Sequence, residues 1–147
     1  MDCSNVIFFG VVRFVNAPNR DSREMRRVLI VEDNEDAGTS MLLLLQSFGH
    51  EAHLARNGKA AVLAAAQLKP DVILMDIALP DIDGYEAARQ IRAALAGEPI
   101  TIIALTVKQQ PHDKEAALAA GMDLHLAKPV SAESLRAAVD LPNSPRR

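Results

Sequence analysis

The sequence predicts an α/β fold built from βα units, because two patterns alternate along it. Short β-branched apolar runs, such as residues 28–31, are followed by longer segments whose apolar residues recur at helical spacing. Turn and cap residues separate the two kinds of segment. This alternation is typical of a parallel sheet covered by helices, and it predicts five strands and five helices.

The five predicted strands are short, apolar runs. They are residues 28–31, 52–55, 72–75, 100–105 and 124–126. In the first predicted helix, Ala37, Met41, Leu44, Leu45 and Phe48 share one face because they mostly lie three or four residues apart. Alanine-rich stretches at residues 60–68 and 115–120 favour helices that lie close to a sheet.

The expected helix ends carry residues that usually cap helices. Asn57 and Ser131 are N-cap candidates for the second and fifth helices, and Asp83 with Glu86 resembles a capping box at the start of the third. Glycines at positions 49 and 121 fall where the first and fourth helices should stop, as C′ glycines do.

The composition predicts one domain with a segment added at each end. The chain has 147 residues, of which 49% are apolar and 24% charged, enough for one core. Residues 1–25 are interpreted as an N-terminal extension that is disordered, is the remnant of a preceding domain, or is sequence translated from a wrongly chosen start. An extra strand or a partner-binding segment is less favoured. Residues 26–140 form the predicted domain, and residues 141–147 a flexible tail.

Charge and cysteine content argue against several classes of protein. A net charge of −3 and a pI near 5.8 give no basic footprint for direct nucleic-acid binding. The single cysteine, Cys3, cannot form an internal disulfide, which fits a reducing cytoplasm. No apolar run approaches the about 20 residues of a membrane helix, and residues 6–12 lack the basic leader of an export signal. We therefore expect a cytoplasmic protein with no membrane segment.

Polar residues follow four of the predicted strands at the point where each strand ends. Glu32 and Asp33 follow the first strand, Asp76 the third, Thr106 the fourth and Lys128 the fifth. Ligands of open parallel sheets bind beyond the carboxyl ends of the strands. The sequence therefore predicts that three acids, a hydroxyl and an ammonium meet at one edge.

These groups suit a divalent cation and a phosphoryl group. Clustered carboxylates repel one another, and Mg²⁺ accepts one or two carboxylates together with water and a phosphate oxygen. The lysine and the threonine can hold phosphate oxygens. No residue is placed as a general base for water, so the pattern favours phosphoryl capture. Singly, each residue could be a helix cap, a turn residue or a solvated lysine; their joint occurrence carries the prediction.

The residues at these strand ends resemble the motifs of response-regulator receiver domains of two-component signalling. The matching segments are residues 28–34 (VLIVEDN), 72–80 (VILMDIALP), 83–85 (DGY), 103–106 (IALT) and 121–129 (GMDLHLAKP). Residues 110–114 and 125–129 are similar to receivers attached to hybrid sensor histidine kinases. The resemblance implies a flavodoxin-like, doubly wound (βα)5 three-layer sandwich with a five-stranded parallel sheet of order 2-1-3-4-5.

The resemblance also implies the metal site. Asp76 would be the phosphoacceptor, and it would bind Mg²⁺ together with Asp33 and the backbone carbonyl of Ala78. Glu32 would hold a metal-bound water.

Phosphoryl contacts and partners follow from the same resemblance. Lys128, with a cis bond to Pro129, would contact the phosphoryl group, and Thr106 would move toward it and start the switch. The donor would be a phosphohistidine on a histidine kinase or a histidine phosphotransfer protein. The chain would catalyse only its own phosphorylation and dephosphorylation. Its output surface, residues 113–139, would meet a downstream protein, a fused domain outside this chain or a second copy, since only a short tail follows Asp140.

Two residues depart from the family pattern. Position 107 is commonly small but is Val107 here, and its bulk is expected to narrow access to Asp76. Position 125 carries His125 where many members have Tyr or Phe as the switch partner of Thr106. A strand histidine with no titration role is favoured over a pH sensor.

Two alternatives stay open at this point. Asp81 and Asp83 superficially resemble the aspartate pair of haloacid-dehalogenase-type phosphatases, although no apolar strand precedes them directly. A calcium loop is weaker still, because Leu79 and Gln90 occupy its first and twelfth ligand positions. The other alternative is a receiver-like binding module that works without phosphorylation.

Overall fold

Five strands and five helices alternate along the protein. The computed structural model describes residues 25–107 and 111–143, with residues 111–113 described by their backbone alone. In chain order the elements are β1 Arg27–Val31, α1 Glu35–Ser47, β2 Glu51–Ala55, α2 Gly58–Leu68, β3 Val72–Asp76, α3 Gly84–Ala94, β4 Thr101–Thr106, α4 Pro111–Ala119, β5 Leu124–Ala127 and α5 Ala132–Asp140.

The strands form one parallel sheet of order β2-β1-β3-β4-β5, which confirms the predicted topology. Successive side chains of a strand point to opposite faces, so two apolar layers form. Leu29 and Ile73 pack with residues of α2, α3 and α4, whereas Ile30 and Leu74 pack with residues of α1 and α5. Helices therefore cover both faces, as the predicted three-layer sandwich requires.

The strand bounds differ from the predicted ones by one residue at several ends. The predicted start of β4 at Ile100 is wrong, because its N–H donates to the carbonyl oxygen of Glu98 in a turn. The ladder begins instead at Thr101, whose N–H donates to the carbonyl oxygen of Asp71 at 3.0 Å. At their other ends β3 and β4 are one residue longer than predicted, so that they include Asp76 and Thr106.

The predicted helix ends are largely confirmed. The side chains of Asn57, Asp83 and Ser131 each accept a hydrogen bond from the backbone N–H three residues further on. The two stop glycines at positions 49 and 121 have φ of 95° and 92°, where an L side chain would be strained. The predicted capping box forms only in part, because Glu86 accepts hydrogen bonds from side chains of its own helix.

The two ends of the described chain meet at the amino edge of the sheet. The Asn143 Oδ1 atom accepts hydrogen bonds from Arg26 Nη1 at 2.9 Å and from Thr101 Oγ1 at 2.8 Å. These contacts tie the first described residues of the predicted tail to the domain. Residues 144–147, and residues 1–24 of the predicted extension, lie outside the described residues.

A buried histidine at the same edge should make stability depend on pH. His50 is 7% exposed, its Nδ1 accepts the N–H of Arg26 at 3.0 Å, and its Nε2 lies 3.6 Å from Asp140 Oδ1. Burial lowers the pKa of His50 and Asp140 raises it; with the charges of Arg26 and Arg136, which also lower it, the net effect is a lowered pKa. The folded state therefore binds this proton less readily than the unfolded chain does.

We expect the His50 contribution to stability to be complete above about pH 6.5 and to be lost as the pH falls below it. The free energy of unfolding should change through His50 by no more than about 1.4 kcal/mol per pH unit, the limit for one proton. Urea unfolding at about pH 7.5 and about pH 5.5 measures it. His50→Gln keeps an acceptor for Arg26 but cannot titrate, so its free energy of unfolding should fall less than that of the wild type between the two pH values. Equal losses in both proteins would contradict the role of His50 in the pH dependence.

Candidate functional site

The sheet order brings the predicted strand-end residues to one edge. β3 lies between β1 and β4, so Asp76, the last residue of β3, is flanked by the ends of both. Glu32 follows β1 directly, and its N–H donates to the carbonyl oxygen of Ala55 at 3.0 Å. Thr106 ends β4 and is half-buried. The carboxyl edge of the sheet therefore carries the polar residues that the sequence singled out.

Three carboxylates meet at this edge and are called the acid cluster (Glu32, Asp33 and Asp76). Each offers an oxygen, and these oxygens lie within 4.8 Å of one another. Glu32 and Asp76 are only 1% and 5% exposed, whereas Asp33 is exposed. Buried carboxylates at this separation destabilise the fold unless cations balance them.

Lys128 is a cation that contacts the acid cluster. Its Nζ lies 3.0 Å from Glu32 Oε1 and 3.2 Å from Asp76 Oδ2. Burial lowers the pKa of Lys128, but the contacts with Glu32 and Asp76 outweigh burial and raise the pKa above its ordinary 10.5. The lysine is therefore charged at neutral pH. Among the described side chains, this is the one ammonium found in contact with the acid cluster, so these contacts leave excess negative charge.

Backbone contacts hold Lys128 beside β4. The N–H of Lys128 donates to the carbonyl oxygen of Thr106 at 2.8 Å. The peptide bond between Lys128 and Pro129 is cis, as the resemblance implied. The lysine main chain is thus attached to the residue that ends the neighbouring strand.

The segment of residues 77–83, called the β3–α3 loop, wraps closely around Asp76. The N–H of Ala78 donates to Asp76 Oδ1 at 3.2 Å, and the N–H of Ile77 donates to the carbonyl oxygen of Leu105 at 3.3 Å. The N–H of Gly84 closes the loop on the carbonyl oxygen of Ile77 at 2.9 Å. A Cβ at Gly84 would overlap the carbonyl oxygen of Asp76, so only glycine allows this approach.

The two residues that depart from the family pattern lie on either side of the β4 end. Val107 follows β4 and is 75% exposed. His125 of β5 pairs with Ala104 of β4, which lies two residues before Thr106. The His125 residue is half-buried. Its side chain lines a groove of about 270 Å³ with Leu118 of α4. His125 is thus not at the acid cluster but beside α4.

Asp81 and Asp83, the pair considered for a phosphatase, both cap helices. Asp83 Oδ1 accepts the N–H of Glu86 at 2.9 Å at the start of α3. Asp81 accepts the N–H of Gly58 and that of Lys59, both at 2.8 Å, at the start of α2. Burial raises the pKa of Asp81, but hydrogen bonds from the backbone N–H groups of Lys59, Gly58, Ile82 and Asp81 itself together outweigh burial and lower it. Nothing in the sequence pattern predicted the contact between Asp81 and α2.

The oxygen donors at this edge fit Mg²⁺. The acid cluster supplies carboxylate oxygens only, which are ligands that this hard cation prefers. Among the described residues, Glu32 Oε1 has no hydrogen-bond donor beyond its ion pair with Lys128, so it can accept from a metal-bound water. A divalent cation would also balance the excess negative charge.

The fold and the strand-end residues define a receiver domain of two-component signalling. The family described as response regulator receiver domain matches residues 28–140, and the chain belongs to it. No described helix is both long enough and apolar enough to span a lipid bilayer.

Among similar proteins, PilH of Pseudomonas aeruginosa is 38% identical over 111 residues, which cover 76% of this chain and 92% of PilH. The response regulator MprA of Mycolicibacterium vanbaalenii is 33% identical over 111 residues, and the chain spans only 47% of its length.

Two solved structures have the same fold. Chemotaxis protein CheY4 of Vibrio cholerae matches with a TM-score of 0.73 and 29% identity, over 79% of this chain and 97% of that one. The receiver domain of sensor histidine kinase PA1611 from Pseudomonas aeruginosa matches with a TM-score of 0.72 and 40% identity, over 79% and 95%. That structure has a magnesium ion coordinated in the active site cleft.

Proposed function

We propose that this receiver domain accepts a phosphoryl group on Asp76 from a phosphohistidine and then presents an altered protein-binding surface. The observation that carries the proposal is the pairing of a buried aspartate with one lysine and two further acids at the carboxyl edge of the sheet. The donor would be a histidine kinase or a histidine phosphotransfer protein, in the cytoplasm.

In this proposal Mg²⁺ is held by Asp33, Asp76 and the backbone carbonyl of Ala78, with Glu32 accepting from a bound water. Bound Mg²⁺ would neutralise carboxylate charge and draw in the phosphoryl oxygens. A carboxylate oxygen of Asp76 forms the new bond to phosphorus, and the bond from phosphorus to the donor imidazole breaks. The electron pair of that broken bond leaves with the imidazole nitrogen. The protein contributes mainly positioning and charge balance to this transfer.

Lys128 and Thr106 would hold the transferred group. The ammonium of Lys128, already 3.2 Å from Asp76 Oδ2, is close enough to contact a phosphoryl oxygen on that residue. Phosphorylation adds close to two negative charges at neutral pH, so Thr106 is expected to turn its hydroxyl toward them.

The switch would continue through His125 to residues 113–139. His125 lines the groove beside α4 together with Leu118, which is 67% exposed. A change at Thr106 that shifts a two-state equilibrium by a few kcal/mol suffices to alter this surface. The partner there would be a downstream protein, a fused domain or a second copy of the chain.

The proposal is tested by incubating the protein with Mg²⁺ and acetyl phosphate and measuring its intact mass. We expect one acid-labile phosphoryl adduct, which disappears when Mg²⁺ is chelated and in Asp76→Ala. Asp81→Asn serves as the control for the phosphatase alternative and should still form an adduct. No adduct from acetyl phosphate or from a phosphohistidine donor would favour a binding module that works without phosphorylation.

Val107→Ala is expected to raise the rates of phosphorylation and dephosphorylation by about two- to fivefold, since a smaller side chain opens access to Asp76. Val107 is 75% exposed, so its truncation should change the free energy of unfolding by less than about 0.5 kcal/mol. Adduct formation and decay followed by mass measure both rates. If neither rate changes, Val107 does not control access.

A further inference from the structure

We infer that Asp81 is a positioning residue that fixes the β3–α3 loop against α2 and thereby sets the affinity of the site for Mg²⁺. This inference rests on the proposed function, in which the loop supplies the carbonyl of Ala78 as a metal ligand. Asp81 itself contacts neither the acid cluster nor Lys128 in the contacts found among the described residues.

Asp81 supplies hydrogen bonds that α2 lacks. The first N–H groups of a helix have no partner within the helix. In α2, the N–H of Gly58 donates to Asp81 Oδ1 and the N–H of Lys59 donates to Asp81 Oδ2, both at 2.8 Å, while Asn57 accepts from Ala60. The first turn of α2 contains no acid of its own, so the carboxylate at its positive end comes from a different element.

The loop and the helix are also in direct contact. A Cβ at Gly58 would lie 2.9 Å from the carbonyl oxygen of Ile82, so glycine at this position is what allows the loop to approach. Asp81 precedes Ile82 in sequence. Its two charge-assisted hydrogen bonds therefore stabilise the close contact between Gly58 and the Ile82 backbone.

The same loop positions the phosphoacceptor. Ala78 lies three residues before Asp81, and its N–H donates to Asp76 Oδ1 at 3.2 Å. The loop ends are fixed by Ile77 and Gly84, which bond to Leu105 and to Ile77. Between these ends, Ala78 bonds to β3 and Asp83 to α3, while the two bonds to Asp81 join the loop to α2. Releasing them would leave Ala78 free to shift relative to Asp76.

The test compares Mg²⁺ binding by calorimetry in the wild type, Asp81→Ala and Asn57→Ala. Asn57→Ala is the matched control, because it removes another cap from the same helix end without touching the loop. We expect Asp81→Ala to weaken the Mg²⁺ Kd roughly three- to tenfold and Asn57→Ala to change it by less than about twofold. Both should lower the thermal midpoint. Asp81→Asn, which keeps one acceptor, should lie between the wild type and Asp81→Ala.

A second readout separates positioning from loss of folded protein. At saturating Mg²⁺, adduct formation from acetyl phosphate in Asp81→Ala should recover to within about twofold of the wild type, since no phosphoryl contact is lost. Asp81→Asn provides the same comparison if the alanine variant does not fold.

Each outcome decides between the two claims. The positioning role of Asp81 is overturned if the Mg²⁺ Kd is unchanged in Asp81→Ala and Asp81→Asn, or if Asn57→Ala weakens it equally. The proposed function still stands in that case when the wild type binds Mg²⁺ and forms the adduct. A wild type that does not bind Mg²⁺ overturns both.

Discussion

Replacing Lys128 with methionine is expected to slow phosphoryl capture by about 100-fold while strengthening Mg²⁺ binding by roughly tenfold. We expect opposite signs because the Lys128 ammonium would attract phosphoryl oxygens but repel a divalent cation. In the structure its ammonium lies about equally close to Glu32 and Asp76, at 3.0 and 3.2 Å. Without it, the acid cluster offers a divalent cation the same carboxylates and no competing positive charge.

The same variant should be less stable when Mg²⁺ is absent. Removing one partner of a buried ion pair costs about 3–5 kcal/mol, and we expect about 2–3 kcal/mol here because a quarter of the Lys128 side chain remains exposed. Because the pKa of Lys128 is raised, its contribution is complete below 10.5 and is lost only as the pH rises through that higher pKa. At neutral pH the wild-type lysine is therefore fully charged, and its titration does not affect the comparison.

Three measurements check this prediction. Calorimetry gives the Mg²⁺ Kd, intact mass gives the rate of adduct formation, and circular dichroism follows urea unfolding, since the chain has no tryptophan. Added Mg²⁺ should stabilise Lys128→Met more than the wild type, because a ligand that binds the folded state stabilises it by RT ln(1 + [L]/Kd), which is larger for the lower Kd. Lys114→Met, at an exposed lysine of α4, is the control and should match the wild type. Weaker Mg²⁺ binding in Lys128→Met would contradict the proposed charge balance.

The sheet and the strand-end residues could be predicted because they depend on local pattern. Apolar runs and helical spacing predicted the βα alternation, and the carboxyl edge of a parallel sheet is where the last residues of all its strands meet. Glu32, Asp76 and Lys128 lie close together for this reason, although they are far apart in sequence. Their chemical roles stay predictions.

The side-chain hydrogen bonds of loop and helix residues could not be predicted in this way. Asp81 entered the sequence prediction only as half of a phosphatase-like pair, since nothing local indicates that its carboxylate bonds to the start of a helix 23 residues earlier. The signal that could have found it is a helix, α2, that begins with glycine and has no acid in its first turn. Glu86 shows the converse, since its sequence position predicted a capping-box contact but its carboxylate bonds to Arg89 and Gln90.

Gly84→Ala is expected to lower the free energy of unfolding by about 3 kcal/mol, the largest stability effect of any substitution considered. A Cβ at this position would overlap the carbonyl oxygen of Asp76 and lie 2.9 Å from the Cα of Ile77. Both are backbone atoms, so no side chain can rotate away. Relief requires the β3–α3 loop to move, and the bond from the N–H of Gly84 to the carbonyl oxygen of Ile77, at 2.9 Å, opposes that movement.

Gly38→Ala is the matched control, because Gly38 is also a buried helical glycine in close contact. Its added Cβ would meet the methyl groups of Leu54 at 3.0 and 3.3 Å, and these can rotate away. The gain of up to about 1 kcal/mol in helix propensity should offset the crowding. The free energies of unfolding of Gly84→Ala and Gly38→Ala, measured in urea, should therefore differ by at least about 2 kcal/mol. The phosphoryl adduct should form more slowly only in Gly84→Ala, since only there does the strain fall on the backbone of Asp76. Equal stability of the two variants would mean that the β3–α3 loop moves at little energetic cost and that its close approach to Asp76 does not require glycine.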